Sequence, residues 1–564
     1  MISVTGKKWV EKKININSVE KIKQDYNFSE TLSKLLITRN FSQSEIYTID
    51  NRLDLKNIFL KNQDFIDGVK LIINSINNKE IVCIVGDYDV DGSVATSFFV
   101  RLFTSINQPF FFYIPDRVND GYGVSIKLFE KLIIKKPSLV IMVDCGSTSN
   151  EAINFLNKKK IKSLVIDHHE INKPFPKADV IINPKKNNGY KDYDYFCATT
   201  LTFFLIDLLI KHINCKFKIN SYLLHVLLAT VCDVMPLRNF NRLISINALK
   251  DADINKIKFL KEIFQLNKKR NKINIDDLGF LIGPILNAGG RLGKSNYATE
   301  LLSTDNQLLL NKRTKQLIKL NNQRKKIEDE IINKINFLKI EKENHDIIIY
   351  YKPNINEGLI GIIAARLKDY FNKTSIVITS SGNLLKGSAR SNINYNIGHA
   401  IKKTLDKGII LSGGGHNMAA GFTLKKDKLK LFESFLNKDF SSKKRSNEHL
   451  FSYDSEILFS AINKEFYNNI KKIGPFGEGN PHPIFLFKNL KIIKVNILKK
   501  KHILSILKSK NGYSINSMAF NSLNTKVGEH LLNYKRNISV IAQIKENFWN
   551  NKNSLQLIIK DIFI

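Results

Sequence analysis

Short apolar runs, each followed by acidic or metal-capable residues, set the rhythm of the first half of the chain. Ile81-Val82-Cys83-Ile84-Val85 leads into Gly86-Asp87-Tyr88-Asp89-Val90-Asp91-Gly92, and Leu139-Val140-Ile141-Met142-Val143 leads into Asp144-Cys145-Gly146. Ile161 to Ile166 ends on Asp167-His168-His169, and Leu227 to Cys232 precedes Asp233. Runs of this length, rich in β-branched residues, predict buried strands. Their alternation with helical segments through residue 182 predicts a doubly wound, mainly parallel sheet. Such sheets gather ligands outside the carboxyl ends of their strands, so the acidic clusters are expected together, delivered from neighbouring strand ends.

Elsewhere the pattern changes. Residues 1 to about 75 are polar and weakly helical, and are expected to form an N-terminal extension packed on the first lobe. Asn183-Pro184 opens a turn-rich stretch, and the glycines between Gly279 and Leu292 predict a rigid loop. Leu301 to Ile340 carries a long helical pattern with many Lys and Arg and few breakers, which predicts a connector between two lobes. A second α/β pattern opens near Asp346. Beyond a Lys- and Ser-rich stretch at 441–449, short alternating runs predict a small β-barrel. The expected divisions are 1–75, a first α/β lobe at 76–300, a connector at 301–342, a second α/β lobe at 343–440 and a barrel at 450–564.

Composition narrows the class. At 564 residues, 43% of them hydrophobic, the chain is a globular protein with several cores. A net charge of +35 favours a polyanionic partner, but the lysines are spread through helices and loops alike and do not by themselves mark a nucleic-acid surface. Five Cys, without C-x-x-C spacing and mostly inside apolar runs, read as reduced core residues. No apolar stretch suits export or membrane spanning, so a cytoplasmic location is expected.

Taken singly, an Asp after a strand is a cap or turn residue, and a His pair is a surface feature. The ordered set is more specific: Asp-x-Asp-x-Asp-Gly, Asp-Cys-Gly, Asp-His-His, then a lone Asp. Hard divalent cations need several oxygen ligands, which no single strand end supplies. The order and context of these motifs resemble the DHH phosphoesterase superfamily and, within it, the RecJ family, over nearly the whole chain. The segments Gly358 to Arg366, Lys386 to Ser391 and Gly413 to Gly421 resemble its DHHA1 domain, and the C-terminal barrel its OB-fold. One departure is Ile355-Asn356, where the family usually has Trp-His.

The resemblance implies a site. Asp87, Asp89, Asp91, Asp144, His168 and Asp233 would ligate two divalent cations, Mn²⁺ or Mg²⁺, and His169 would face the substrate phosphate. Arg117, Ser388, Arg390 and His416 would grip phosphates, while Tyr122, Asn287 and Arg291 would position the nucleic-acid strand. The implied activity is a metal-dependent exonuclease that degrades single-stranded DNA from the 5′ end to 5′-mononucleotides in repair and recombination. Its expected partners are single-stranded DNA, a single-strand-binding protein and a helicase, with the protein itself a monomer away from the membrane. A phosphodiesterase for short or cyclic oligonucleotides and a non-catalytic single-strand-binding scaffold are the alternatives.

Overall fold

The structure is a computed structural model that describes every residue except 52, 117–119, 121–122, 187, 214, 251, 270–271, 344, 393–394, 444–449, 534–536 and 550–551. The contacts expected of Arg117 and Tyr122 therefore lie outside the described residues. The chain divides into two compact units. One gathers Met1–Lys56, Val234–Lys250 and Ser446–Ile564; the other gathers Asn57–Asp233 and Asp251–Arg445. Among the described residues no helix is long and apolar enough to cross a membrane.

Beyond a first strand, β1 (Lys8–Glu11), the larger unit begins with β2 (Val82–Gly86), β3 (Phe110–Tyr113), β4 (Leu139–Val143), β5 (Lys162–Ile166) and β6 (Val180–Ile182). These five strands are parallel throughout, in the order β3-β2-β4-β5-β6. The order reverses between β2 and β4, and a crevice at the carboxyl ends of a parallel sheet opens at such a reversal. Side chains alternate across the sheet. Cys83, Val85, Val140, Met142 and Val165 pack with helices Ile126–Leu132 and Asn150–Lys158 on one face. Helices Gln63–Asn77, Val90–Ser105 and Ala198–Ile213 cover the other. Burial on both faces explains why these strands read as unbroken apolar runs.

Two expectations change here. Leu223–Cys232 is a helix, so Asp233 arrives as its C-cap and not from a strand end. The helix is buried nearly all round, and such a run cannot be told from a buried strand by periodicity. The Gly279–Leu292 stretch is also no loop: a π-helical turn at Leu278–Ile282 continues into the helix Gly283–Arg291. Its glycines serve close packing. A Cβ on Gly290 would lie 2.6 Å from the Tyr88 carbonyl, and one on Gly283 would lie 2.5 Å from Cys232 Sγ. Gly290→Ala should therefore displace Tyr88, which lies between Asp87 and Asp89. We expect a loss of about 1–3 kcal/mol of stability together with reduced activity. Thermal unfolding and turnover of the same variant check both.

The helix Gln307–Asn333 extends about 40 Å at 1.5 Å per residue and leads to the second lobe. Buried Glu328 ties it down by accepting from Arg366 Nε at 2.8 Å and from Arg324 Nη1 at 3.1 Å. That lobe holds β7 (Ile348–Tyr351), β8 (Ser375–Ser381), β9 (Leu384–Arg390), β10 (Ser412–His416) and β11 (Ala419–Lys425), in the order β10-β11-β9-β8-β7. Helix Ile360–Phe371 covers one face, and Ile397–Asp406 with Leu429–Lys443 covers the other.

In the smaller unit, β12 (Leu450–Tyr453) and β13 (Ser455–Glu456) precede β14 (Phe485–Leu498), β15 (His502–Lys508), β16 (Ser514–Ala519), β17 (Ile538–Trp549) and β18 (Lys552–Phe563). The last five strands form a barrel in the order β14-β15-β16-β18-β17, closed by β14 against β17. Residues 1–56, expected on the first lobe, belong with this barrel instead. β1 pairs with β12, Trp9 Nε1 donates to the buried Asp561 carboxylate at 2.9 Å, and Ile22, Leu32, Leu35 and Leu36 join the barrel core. From the expected extension, residues 57–75 pack in the first lobe: Asn57 donates to the Phe204 carbonyl at 2.9 Å, Phe59 is buried against Phe65 and Phe204, and the helix Gln63–Asn77 follows. The polar pattern of residues 1–56 gave no sign of this, because its few apolar side chains are completed by strands hundreds of residues away.

Candidate metal centre

The site is built at the carboxyl ends of β2, β4 and β5. Gly86 ends β2, and Asp89 caps the helix Val90–Ser105, its Oδ1 accepting from the Gly92 amide at 3.1 Å. A Cβ on Gly92 would come within 2.4 Å of the Asp87 carbonyl, so glycine permits the tight turn that presents all three acids. Asp91 is buried and fixed from another element: its two oxygens accept the Ala198 and Thr199 amides at 2.7 and 2.8 Å, at the N-terminus of Ala198–Ile213. A carboxylate suits a helix N-terminus, where free amides and the dipole converge. Nothing in the sequence around Ala198 and Thr199 signals that link, which joins positions about a hundred residues apart.

After β4, Asp144 adopts a left-handed conformation with φ of 60°, and its amide donates to Ile166 at 2.9 Å. Short polar residues tolerate this region, and such strain clusters at functional sites. After β5, Asp167 stands outside the three ligand groups described below. Its Oδ1 accepts from the His168 amide at 2.8 Å, the His169 amide at 3.1 Å and His169 Nδ1 at 2.8 Å, and its Oδ2 accepts from the Ser147 amide. Asp167 is thus occupied in holding the strand end and aiming His169.

What remains converges. His168 Nε2 lies 3.3 Å from Asp144 Oδ1, 3.3 Å from Asp233 Oδ2 and 3.9 Å from Asp91 Oδ2. Among the described residues, Asp144 Oδ1, Asp233 Oδ2 and both ring nitrogens of His168 are buried without a hydrogen-bond partner. Buried polar atoms are almost always satisfied, and three orphans that meet here, Asp144 Oδ1, Asp233 Oδ2 and His168 Nε2, call for a cation. Potential ligand atoms fall into three overlapping groups, each within 4.8 Å: Asp87 with Asp89 and Asp144, Asp91 with His168 and Asp233, and Asp144 with His168 and His169. Six of the predicted residues, Asp87, Asp89, Asp91, Asp144, His168 and Asp233, are therefore gathered in one place. The oxygen-rich set with one imidazole suits Mn²⁺ or Mg²⁺.

Electrostatics separates the two histidines. Burial, then the carboxylates of Asp91, Asp89, Asp87 and Asp233, push the Asp144 carboxyl well above its usual range; burial and the Asp91 and Asp89 charges do the same to Asp233. Burial and the neighbouring His169 lower His168 to about 4, so it is a neutral imidazole with a free lone pair. Burial also opposes charge on His169, but the hydrogen bond and charge of Asp167 outweigh it and raise His169 to about 9. A cationic His169 repels a metal and attracts a phosphate. Asp167→Asn should let His169 fall toward its ordinary 6.5, and turnover should drop about ten- to a hundredfold. Because the charged form is lost as pH rises, the alkaline fall of the pH-rate profile, expected near 9 in the parent, should move to lower pH.

The remaining predicted residues are spread around this centre. Arg390 Nη1 donates to Ser388 Oγ at 3.1 Å, and a Cβ on Gly361 would lie 2.9 Å from Arg390 Nη2 and 3.1 Å from Ser388 Oγ. Both side chains thus lie over the first turn of Ile360–Phe371, a natural place for an anion. His416 ends β10, within electrostatic reach of Lys185, Glu170 and His169. Arg291 Nη1 donates to the Gly358 carbonyl at 2.9 Å, which joins the two lobes; Asn287 lies one turn earlier on the same helix. Asn356, at the departure from the family pattern, accepts the Gly358 amide at 2.8 Å and shapes that same turn. Near the undescribed residues, Asp120 accepts from Tyr113 Oη, the Asp116 amide and Lys131 Nζ, anchoring the loop's base.

One residue of the site left no distinctive signal. Fully buried Asn183 follows β6 and donates to the His169 carbonyl at 3.0 Å and to Ser147 Oγ at 2.8 Å, while its Oδ1 accepts the Lys185 amide at 2.8 Å. In the sequence, Asn183-Pro184 reads only as a turn. Its place beside β5 in the sheet is what makes it part of the site.

Comparison with known proteins agrees with this geometry. Residues 81–230 match the DHH family N-terminal domain, 344–442 the DHHA1 domain and 453–561 the RecJ OB domain. The single-stranded-DNA-specific exonuclease RecJ of Haemophilus influenzae is 29% identical over 87% of this chain and 89% of its own length. The protein of that name from Bacillus subtilis is 26% identical over 98% of this chain and 70% of its own length. In fold, the crystal structure of RecJ in complex with Mn²⁺ from Thermus thermophilus superposes with a TM-score of 0.83 at 20% identity, covering 99% of this chain and 79% of that one. With the three domains in this order and relatives aligned along most of its length, the chain belongs to the RecJ family.

Proposed function

We propose that this protein is an exonuclease that hydrolyses single-stranded DNA from the 5′ end and releases 5′-mononucleotides, using two divalent cations, Mn²⁺ or Mg²⁺. The observation that carries the proposal is the convergence of unpartnered Asp144 Oδ1, Asp233 Oδ2 and His168 on one buried point, at the reversal of a parallel sheet. Asp87, Asp89, Asp91, Asp144, His168 and Asp233 would hold the ions. Held there, divalent ions would supply an acidified water and charge compensation for the attacking and leaving oxygens.

The chain's own groups do the rest. Asp91, pinned by the Ala198 and Thr199 amides, cannot swing away, so the cluster keeps its shape between turnovers. His169, cationic and held by Asp167, donates to a non-bridging oxygen of the reacting phosphate. Ser388 and Arg390 receive the terminal 5′ phosphate, joined by Arg117, and His416 approaches from the second lobe. Tyr122, Asn287 and Arg291 guide the strand, and the barrel binds the portion still to be digested, by basic and aromatic side chains. With this activity go action in DNA repair and recombination, a cytoplasmic location, a monomeric state, and work alongside a single-strand-binding protein and a helicase.

Chromatography of the products from a single-stranded oligonucleotide tests the reaction. Mononucleotides carrying a 5′ phosphate are expected from the earliest time points; an initial ladder of internal fragments would contradict it.

A further inference from the structure

We infer that Lys185 is a catalytic phosphate-binding residue, donating from Nζ to the phosphodiester being cut, on the side of the site away from the carboxylates. This rests on the hydrolase reading above. The observation is one of placement. Lys185 follows β6, whose neighbour β5 ends in Asp167-His168-His169, so both leave the sheet at the same edge. Its backbone is fixed by buried Asn183, the residue that also holds the His169 carbonyl. The position of Lys185 is thus set by the same side chain that sets the position of His169.

Its charge is held in reserve. Among the described contacts, Nζ meets only the Glu170 carboxylate, at 2.9 Å, on a side chain that is itself 62% exposed. An exposed ion pair contributes little to stability and exchanges readily for a stronger anion. Lys185 influences His168, Asp233 and His416, which come from a strand end, a helix C-terminus and the second lobe. Glu170 directly follows His169, so the ion pair already places Nζ beside the segment that carries both histidines. A phosphodiester drawn toward the carboxylate cluster turns its other non-bridging oxygen to this side. Lys185 with its three N–H donors suits a charge that grows there in the transition state.

The test uses the full chain and three measurements on Lys185→Ala and Lys185→Arg. With Mn²⁺ and a 5′-phosphorylated oligonucleotide, Lys185→Ala should lose about a hundredfold in kcat with a smaller change in KM, and Lys185→Arg should regain most of it. Mn²⁺ affinity, read by electron paramagnetic resonance, should stay within about twofold of the parent in both, because Lys185 is no ligand. Affinity for dTMP in Mg²⁺, read by calorimetry, should fall about tenfold in Lys185→Ala. Parent-like kcat and dTMP affinity in Lys185→Ala, or a loss of Mn²⁺ affinity matching the loss of turnover, would overturn the assignment. Should the parent protein digest no single strand, the exonuclease reading fails, while the dTMP measurement still decides on Lys185.

Discussion

Asp144→Asn should lose about a thousandfold in hydrolysis while still binding single strands. Asp144 Oδ1 is buried and unpartnered, and its carboxylate belongs to two of the three ligand groups, so an uncharged amide disables both ends of the cluster. Asp233→Asn should follow it, because Asp233 faces His168 from the opposite element at 3.3 Å. Misfolding is the ordinary alternative explanation of such a loss, and the sign of the stability change distinguishes the two. The Asp144 carboxyl sits well above its usual range, so without metal the folded protein binds more protons than the unfolded chain, and stability falls as pH rises past the ordinary carboxylate value. Removing that charge should leave metal-free protein at least as stable as the parent at pH 8. It should also shrink the rise in Tm that Mn²⁺ gives the parent. Denaturation scans with and without Mn²⁺, beside turnover assays, separate the two explanations; parent-like turnover in either variant would refute the cluster.

Circular single strands should resist the enzyme by at least two orders of magnitude relative to the same strand linearised. Ser388 and Arg390 lie side by side over the first turn of Ile360–Phe371, where a guanidinium fork, a neutral hydroxyl and free helix amides suit a terminal phosphate better than a continuing backbone. Gly361 allows this closeness, since any side chain there would strike both groups. The Arg291 bond to the Gly358 carbonyl fixes that turn against the first lobe. Arg390→Ala should therefore slow digestion of 5′-phosphorylated strands about tenfold or more, and 5′-hydroxyl strands much less, as a charge-assisted bond is lost only from the former. Equal effects on both ends would mean that Arg390 contacts the backbone and not the terminus.

The legible part of this protein is local. β2, β4 and β5 announce themselves because a strand buried on both faces must be apolar throughout, and the acids after them stand out against such runs. The site's outline followed from order and spacing. Its supports did not, because they are contacts made by topology: Ala198 and Thr199 meet Asp91 across about a hundred residues, and Asn183 meets His169 only because β6 lies beside β5. Misreadings had the same origin. Glycine density in Gly279–Leu292 signals either a turn or a close approach, and only the Tyr88 backbone pressed against Gly290 decides for the helix. The apolar helix before Asp233 and the partnership of residues 1–56 with the barrel likewise depend on neighbours distant in sequence.

One time course decides whether a divalent-metal site digests a single strand from its 5′ end. The same oligonucleotide, labelled at the 5′ end in one sample and at the 3′ end in another, is treated with the protein in Mn²⁺ and in EDTA. Label at the 5′ end should appear at once as mononucleotide while 3′ label persists on shortening fragments, and EDTA should stop the digestion. Early release of 3′ label, or undiminished digestion in EDTA, would contradict that expectation.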